Sequence, residues 1–217
     1  MEDRPTVFVV DDDPAARDSV AAMIRSRGIE VESYASAEQF FGQFNRGRLG
    51  CLVTDVRMAG MSGLSLLERL KQERISLPAV VITGYGDVPT AVEAMRAGAV
   101  TFLEKPCGEG DLLKSIGEAI ETHRRLRRQQ ARLAEIQARF ARLTPGEVRV
   151  LEQMIAGKPN KTMAADLQIG LRTVELRRAN VMKKIEVDSV AELVRLAMEA
   201  DWRGERSLPA HQGASSP

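Results

Sequence analysis

The sequence contains little cysteine and no long apolar run, and each shortage excludes a class of protein. Its two cysteines, Cys51 and Cys107, stand in no metal-ligand spacing, so we expect reduced thiols rather than a disulfide. No apolar run approaches the length of a membrane span, so we expect no membrane as a partner. The acidic, polar residues 1–5 are unlike a signal peptide, and the cytoplasm is therefore the expected compartment.

The net charge of +1 conceals two halves of opposite sign. Residues 1–121 contain 13 Lys and Arg against 19 Asp and Glu, whereas residues 122–217 contain 18 against 11. A chain of 217 residues with 44% apolar residues suits one large or two small globular domains. The asymmetry favours two domains with different partners, and nucleic acid is the first candidate for the basic half.

The first half alternates short apolar strands with amphipathic helices. The strand-like runs lie at residues 6–10, 31–34, 49–54, 79–82 and 101–103. Asp13, Ser36 and Asp87 are expected to cap three of the helices, and Ser36 is expected to form a capping box with Gln39. The alternation predicts an α/β fold in which five parallel strands form one sheet, covered by helices on both faces.

Polar side chains follow the predicted strands at the points where they end. They are Asp11 and Asp12, Asp55, Thr83 and Lys105. The carboxyl ends of parallel strands share one edge of a sheet, so these groups are expected to converge there; the alternative is that each is a separate cap or turn residue. Clustered carboxylates need a cation, and an all-oxygen ligand set suits Mg²⁺. A carboxylate beside that cation can accept a phosphoryl group as an aspartyl phosphate, while a lysine neutralises charge and a threonine binds a phosphate oxygen.

In this order, the motifs Asp11-Asp12, Val53-x-Asp55, Thr83-Gly84 and Lys105-Pro106 resemble the receiver domains of two-component response regulators, over roughly residues 5–120. The resemblance implies a flavodoxin-like receiver fold and phosphorylation on Asp55. It implies that Mg²⁺ is held by Asp11, Asp12, Asp55 and the backbone carbonyl of Arg57. It also implies that Thr83 and Lys105 bind the phosphoryl group and that Thr83 and Phe102 act as a switch.

Two positions in the first half qualify this resemblance. Phe102 matches the aromatic switch position of receiver domains, but from the residues alone it is a core phenylalanine. Ala59 stands where receiver domains usually have a proline after methionine. That departure alters the loop after Asp55 without removing a functional group.

Between Glu109 and Leu143 the sequence contains no proline and predicts one long helix. A stripe of residues from Leu112 to Phe140 recurs at spacings of four and three, as in a heptad repeat that polar residues interrupt. Two interpretations stay open for this segment: a solvated helical linker, or a stalk through which two chains dimerise. His123 is expected on the surface of the helix.

The second half predicts a small all-α domain of four short helices. Thr144 with Glu147 caps the first, Asn160 caps the second, and Ser189 with Glu192 caps the fourth. The third helix, expected over residues 171–185, follows a tight turn at Gly170, which predicts a helix-turn-helix. Its polar, basic face suits the DNA major groove, although a solvated face on a helical bundle is the alternative.

This half resembles the FixJ/LuxR class of DNA-binding domains over about residues 142–200, through Leu143-Thr144-x-x-Glu147, Asn160-Lys161, Thr173-Val174 and Lys184-Ile185. The expected DNA contacts are Lys161, Arg172, Thr173, Glu175, Leu176, Arg178 and Lys183. Lys161, Thr173 and Lys183 are expected at phosphates, and Glu175 can accept from cytosine N4. Arg177, Gly170 and Glu175 depart from the residues common in the class, which are histidine, serine and lysine.

The whole sequence thus resembles a FixJ-type (NarL-like) response regulator and predicts a transcription factor rather than an enzyme. The expected segments are a receiver at 1–120, a helical linker at 121–142, a DNA-binding domain at 143–200 and a disordered tail at 201–217. A sensor histidine kinase, promoter half-sites, RNA polymerase and a second copy of the phosphorylated chain are the expected partners. The alternatives are a receiver that is a constitutive, non-switching dimer module, and a receiver that is a phosphate sink.

Overall fold

The structure, a computed structural model, describes residues 4–84, 88–202 and 204. The helix cap expected at Asp87 and most of the tail expected over 201–217 lie outside the described residues. The chain divides into two compact units between Arg128 and Gln129. No helix of the described residues is long and apolar enough to cross a membrane.

The first unit is an α/β sandwich in which strands and helices alternate along the chain. Its elements are β1 Thr6–Val10, α1 Pro14–Arg25, β2 Glu30–Tyr34, α2 Ala37–Gln43, β3 Gly50–Asp55, α3 Gly63–Gln72, β4 Ala79–Thr83, α4 Val88–Ala97, β5 Ala99–Glu104 and the first part, up to Arg128, of α5 Glu109–Ala141. All strand pairs are parallel, in the order β2-β1-β3-β4-β5. This is the flavodoxin-like order, so the predicted fold is confirmed.

The sheet is buried on both faces, because successive side chains of each strand point to opposite sides. Phe8 and Leu52 belong to one core cluster, with side chains from the helices α2 and α3. Val9 and Val53 belong to the other, with Ile24 of α1 and apolar side chains of α5. These α5 residues, Leu112, Ile116 and Ala119, begin the heptad-like stripe, so its first part is core of the first unit.

His123 of α5 is buried, with 5% of its surface exposed, so its expected surface position was wrong. Its Nδ1 lies 2.8 Å from the carbonyl oxygen and 3.1 Å from the amide nitrogen of Gly50, at the start of β3. Burial lowers the pKa of His123, although the hydrogen bond to Gly50 opposes the shift. The sequence pattern could not show this contact, because it joins residues 73 positions apart.

The second unit is all α-helical. After the end of α5 it contains α6 Pro145–Ile155, α7 Asn160–Asp166, α8 Leu171–Ile185 and α9 Val190–Glu199. Ile136 and Phe140 of α5 pack in its core with apolar side chains of all four helices. The predicted capping box at Thr144 and Glu147 is confirmed, as is the Ser189 cap of α9.

Asn160 does not cap α7, contrary to the prediction. Pro159, with φ −67° and ψ 152°, occupies the N-cap position, and Asn160 is the first helical residue. The fixed φ of proline suits the extended conformation of a cap, so the helix begins at Asn160, one residue earlier than expected. The Ser36 capping box is also only half formed: Ser36 accepts from the Gln39 N–H, but the Gln39 side chain accepts from Ala35 rather than Ser36.

Candidate functional site

The edge formed by the carboxyl ends of the central strands brings the predicted polar residues together. Asp55 ends β3 beside Ile82 of β4, and Thr83 ends β4 beside Glu104 of β5. Asp11 directly follows β1, whose last residue pairs with Thr54. The parallel order therefore places these groups on one rim, as the alternation of strands and helices predicted.

Lys105 links the carboxylates at this rim. Its Nζ lies 2.8 Å from Asp11 Oδ2 and 3.5 Å from Asp55 Oδ1. Its backbone N–H donates to the carbonyl oxygen of Thr83 at 2.7 Å, and the peptide bond to Pro106 is cis. Burial alone would lower the pKa of Lys105, but the hydrogen bond and charge of Asp11, together with the charge of Asp55, raise it.

One carboxylate oxygen of Asp55 accepts a hydrogen bond and the other does not. Its Oδ2 accepts from the Arg57 N–H at 3.2 Å. Its buried Oδ1 makes no hydrogen bond with the described residues; the 3.5 Å approach of Lys105 is an ion-pair distance at the long limit of hydrogen bonding. Burial raises the pKa of Asp55 and the charge of Asp11 adds to this, whereas Lys105 and the Arg57 N–H oppose it.

Gly63 brings the start of α3 close to Asp55. A Cβ at this position would lie 2.0 Å from the Asp55 carbonyl oxygen, so only glycine permits the approach. The Gly63 N–H donates to Val56 at 3.0 Å, which closes the loop of residues 56–62 over the end of β3. Arg57 lies in this loop with its side chain exposed.

The two aspartates after β1 have different environments. Asp11 is buried at 5% exposure, and its Oδ1 accepts from the Asp13 N–H at 2.9 Å. Asp12 is exposed, and its Oδ2 accepts from the Ala59 N–H at 2.8 Å. Over residues 4–84, 88–202 and 204, no three acidic, histidine or cysteine side chains are arranged to hold a metal ion. Asp11 and Asp55 nevertheless converge on one cation, the Lys105 ammonium, with oxygen atoms only.

Thr83 and Phe102 lie on adjacent strands, two residues apart in register. Thr83 is buried at the end of β4, with 1% exposure. Phe102 lies on β5 beside Val81, is partly buried, and packs against the core cluster that contains Phe8. The structure therefore gives Phe102 the core contacts that its residue type predicts.

Helix α8 has one buried apolar face, and most of the expected DNA contacts lie outside it. Val174, Val181 and Ile185 are fully buried, whereas Leu176 is 61% exposed. Of the other expected DNA contacts, Lys161 on α7 and Arg172, Glu175 and Lys183 are exposed, and Thr173 and Arg178 are half-buried. Within the part of the chain that is described, the basic residues of this set form no ion pair. Their charges therefore remain available to an anionic partner.

Two basic residues of α8 face the protein instead. Lys184 Nζ lies 2.6 Å from Oε2 of Glu147, which is 4% exposed. The Arg177 guanidinium packs on α6, where a Cβ on Gly146 would lie 2.9 Å from Arg177 Cζ. The sequence could not show this, since the helical positions of Arg177 and Lys184 alone do not reveal that α6 covers them.

Two family models match the chain: the response regulator receiver domain over residues 7–117, and the bacterial regulatory proteins of the luxR family over residues 141–197. The chain belongs to the response regulators that combine these two domains, and it is a transcription regulator.

Its relatives include the transcriptional regulatory proteins FixJ of Bradyrhizobium diazoefficiens and Rhizobium meliloti. The first is 43% identical over 200 residues, covering 92% of this chain and 98% of that protein. The second is 45% identical over 193 residues, covering 89% and 95%. Among solved structures, the response regulator StyR superposes with a TM-score of 0.81 at 40% identity, covering 90% of this chain and 99% of StyR.

Proposed function

We propose that a sensor histidine kinase phosphorylates this response regulator on Asp55, and that phosphorylation shifts dimerisation and DNA binding at promoter half-sites. The observation that carries the proposal is the Lys105 ammonium, 2.8 Å from Asp11 and 3.5 Å from the otherwise unbonded Oδ1 of Asp55. A receiver that served only as a constitutive dimer module would need no such juxtaposition. RNA polymerase is the expected downstream partner, and the cytoplasm the expected compartment.

In the transfer step, an Asp55 oxygen forms a bond to phosphorus while the bond to the donor histidine nitrogen breaks, and the nitrogen leaves with its electron pair. Oδ1 suits this role because it is the oxygen without a hydrogen bond, whereas the Arg57 N–H orients Oδ2. Lys105 already lies beside both carboxylates and would neutralise charge on the transferred group. Thr83 would donate its hydroxyl proton to a phosphate oxygen.

The acidic residues fit a divalent cation in chemistry and position. Asp11 and Asp55 converge on a single positive charge, and Asp55 keeps an unsatisfied buried oxygen. Asp11, Asp12, Asp55 and the carbonyl of Arg57 would hold Mg²⁺, which prefers oxygen ligands. When bound, Mg²⁺ would supply electrostatic stabilisation of the transferring phosphoryl group.

The response to phosphorylation would be a shift between two conformations that already exist. Thr83 and Phe102 are the proposed switch, and they lie on the paired strands β4 and β5. The receiver would comprise 1–120, the linker 121–142, the DNA-binding domain 143–200 and the tail 201–217. The division between Arg128 and Gln129 falls inside the proposed linker.

For DNA recognition, α8 would enter the major groove. Its exposed residues Arg172, Glu175 and Leu176 would reach base edges, with Arg178 beside them. Lys161, Thr173 and Lys183 would contact phosphates, which fix the position of the protein without specifying sequence. A phosphorylated dimer would match a site of two half-sites.

The decisive experiment measures binding to a genomic fragment library, with and without Mg²⁺ and a small phosphodonor, for the intact chain and the near-isosteric variant Asp55→Asn. We expect tighter, sequence-selective binding only for the phosphorylated intact chain. Equal binding in all conditions would instead favour the constitutive module. A gain in affinity by Asp55→Asn on phosphodonor treatment would refute the assignment of Asp55.

A further inference from the structure

The loop after Asp55 contacts the acidic pair through a backbone donor. Ala59, four residues beyond Asp55, donates its N–H to Asp12 Oδ2 at 2.8 Å. Both residues are exposed and lie 47 positions apart in sequence. A hydrogen bond to a carboxylate is stronger than one between neutral groups, so this contact can fix the orientation of an exposed side chain.

Asp12 therefore has a different binding partner from the other two carboxylates of the rim. Asp11 and Asp55 both approach the Lys105 ammonium, whereas Asp12 makes no ion pair with any described residue. Three carboxylates at one rim repel each other, and a backbone N–H that draws one of them aside reduces that repulsion. A divalent cation reverses this preference, because its two positive charges attract the three carboxylates to one ion.

We propose that the Ala59 N–H is a positioning group that holds Asp12 away from the cation-binding position, so that Mg²⁺ competes with it for Asp12. The proposal rests on the proposed function, in which Asp12 is a ligand. It couples cation binding to the loop of residues 56–62, since Asp12 leaves the loop when it turns to the metal. The donor exists only because residue 59 is not proline, which has no N–H.

The expected change in Mg²⁺ affinity depends on whether the Ala59–Asp12 hydrogen bond forms in the metal-free or the metal-bound state. The hydrogen bond stabilises the metal-free state alone, so its removal favours the metal-bound state. Because both partners are exposed to solvent, we give this bond the net strength of an ordinary hydrogen bond, which corresponds to a change of about two- to tenfold in an equilibrium constant. Ala59→Pro is therefore expected to bind Mg²⁺ about two- to tenfold more tightly than the parent chain.

The test is a titration of the full ¹⁵N-labelled chain with MgCl₂, followed by the amide signals of Asp11, Asp12 and Arg57. Ala59→Ser is the matched control, because it alters the same exposed position and retains the N–H; it should bind Mg²⁺ like the parent. In an Asp12→Ala background, Ala59→Pro should no longer change the affinity. In the parent itself, the Ala59 amide proton should shift upfield as Mg²⁺ saturates, which tests the proposal without the proline.

The results distinguish failure of the metal site from failure of the competition between Mg²⁺ and the Ala59 N–H. If the parent binds Mg²⁺ and Asp55→Asn weakens that binding, but Ala59→Pro leaves it unchanged or weaker, the competition is wrong and the metal site stands. An Ala59 amide signal that stays in place at saturation would overturn it equally. If the parent binds no Mg²⁺ at these residues, both the metal site and the competition fail.

Discussion

Replacing Lys184 by methionine should destabilise the second unit and change its response to acid. Lys184 Nζ lies 2.6 Å from Oε2 of Glu147, which also accepts from the Thr144 N–H at 2.8 Å. The pair joins the start of α6 to the end of α8. Methionine keeps most of the lysine stem but removes the charge, so it leaves a carboxylate that is 4% exposed without its cation.

The magnitude depends on how far each partner is desolvated. Removing one member of a fully buried ion pair costs about 3–5 kcal/mol. The Lys184 side chain is 32% exposed and Glu147 keeps its hydrogen bond from Thr144, so we discount the loss to about 1–3 kcal/mol. Burial alone would raise the pKa of Glu147, but the hydrogen bonds from Lys184 and Thr144 and the charge of Lys184 together outweigh it, and the net pKa lies below its usual 4.5.

A lowered pKa fixes the sign of the pH dependence. The contribution of the pair is complete above pH 4.5, the usual pKa, and is lost as the pH falls through the lower pKa of the folded state. In Lys184→Met, burial favours the neutral carboxyl group instead, so Glu147 is protonated more readily. The difference in stability between parent and variant should therefore be largest near pH 7 and shrink as the pH falls below 4.5.

The assay is urea unfolding followed by fluorescence of Trp202, the single tryptophan of the chain. Its ring stacks on Phe140 with centroids 5.6 Å apart, so it reports on the second unit. Arg195→Met is the control, because its ion pairs of 3.6–3.7 Å are exposed and should contribute little to stability. Equal midpoints for parent and Lys184→Met at pH 7, or a difference that stays undiminished well below pH 4.5, would refute the reasoning.

Two further predictions concern α5 and α8. His123→Leu removes the side-chain partner of the Gly50 backbone and should cost the first unit about 1–3 kcal/mol at pH 7. Because burial lowers the pKa of His123, the parent should lose stability as the pH falls below 6.5, the usual pKa of histidine, and the variant should lack this loss. Hydrogen exchange of the β3 amides measures the stability of both proteins. Parallel pH profiles for the two would contradict the prediction. Lys183→Ala should weaken DNA binding by a similar factor for all sequences and reduce the slope of log K against log salt by about 1, whereas a change in sequence preference would indicate base contact.

Much of this protein follows from its sequence because the relevant signals are local. The alternation of apolar runs with helical patterns predicted the parallel sheet, and a parallel sheet necessarily gathers the residues after its strands at one edge. The cap formed by Thr144 and Glu147 spans only three residues, so it too could be predicted. The opposite net charges of the two halves likewise indicated two domains before any contact was known.

Tertiary structure alone decided which of these groups touch. The Lys105–Asp11 contact joins residues 94 positions apart, and the Ala59–Asp12 contact uses a backbone N–H that no side-chain pattern records. His123 is buried because the helix α5 covers the start of β3, although the residues around His123 indicated a surface position. Such contacts depend on the order of the strands and on which helix faces which, whereas a sequence pattern reports only on neighbours within a turn or two.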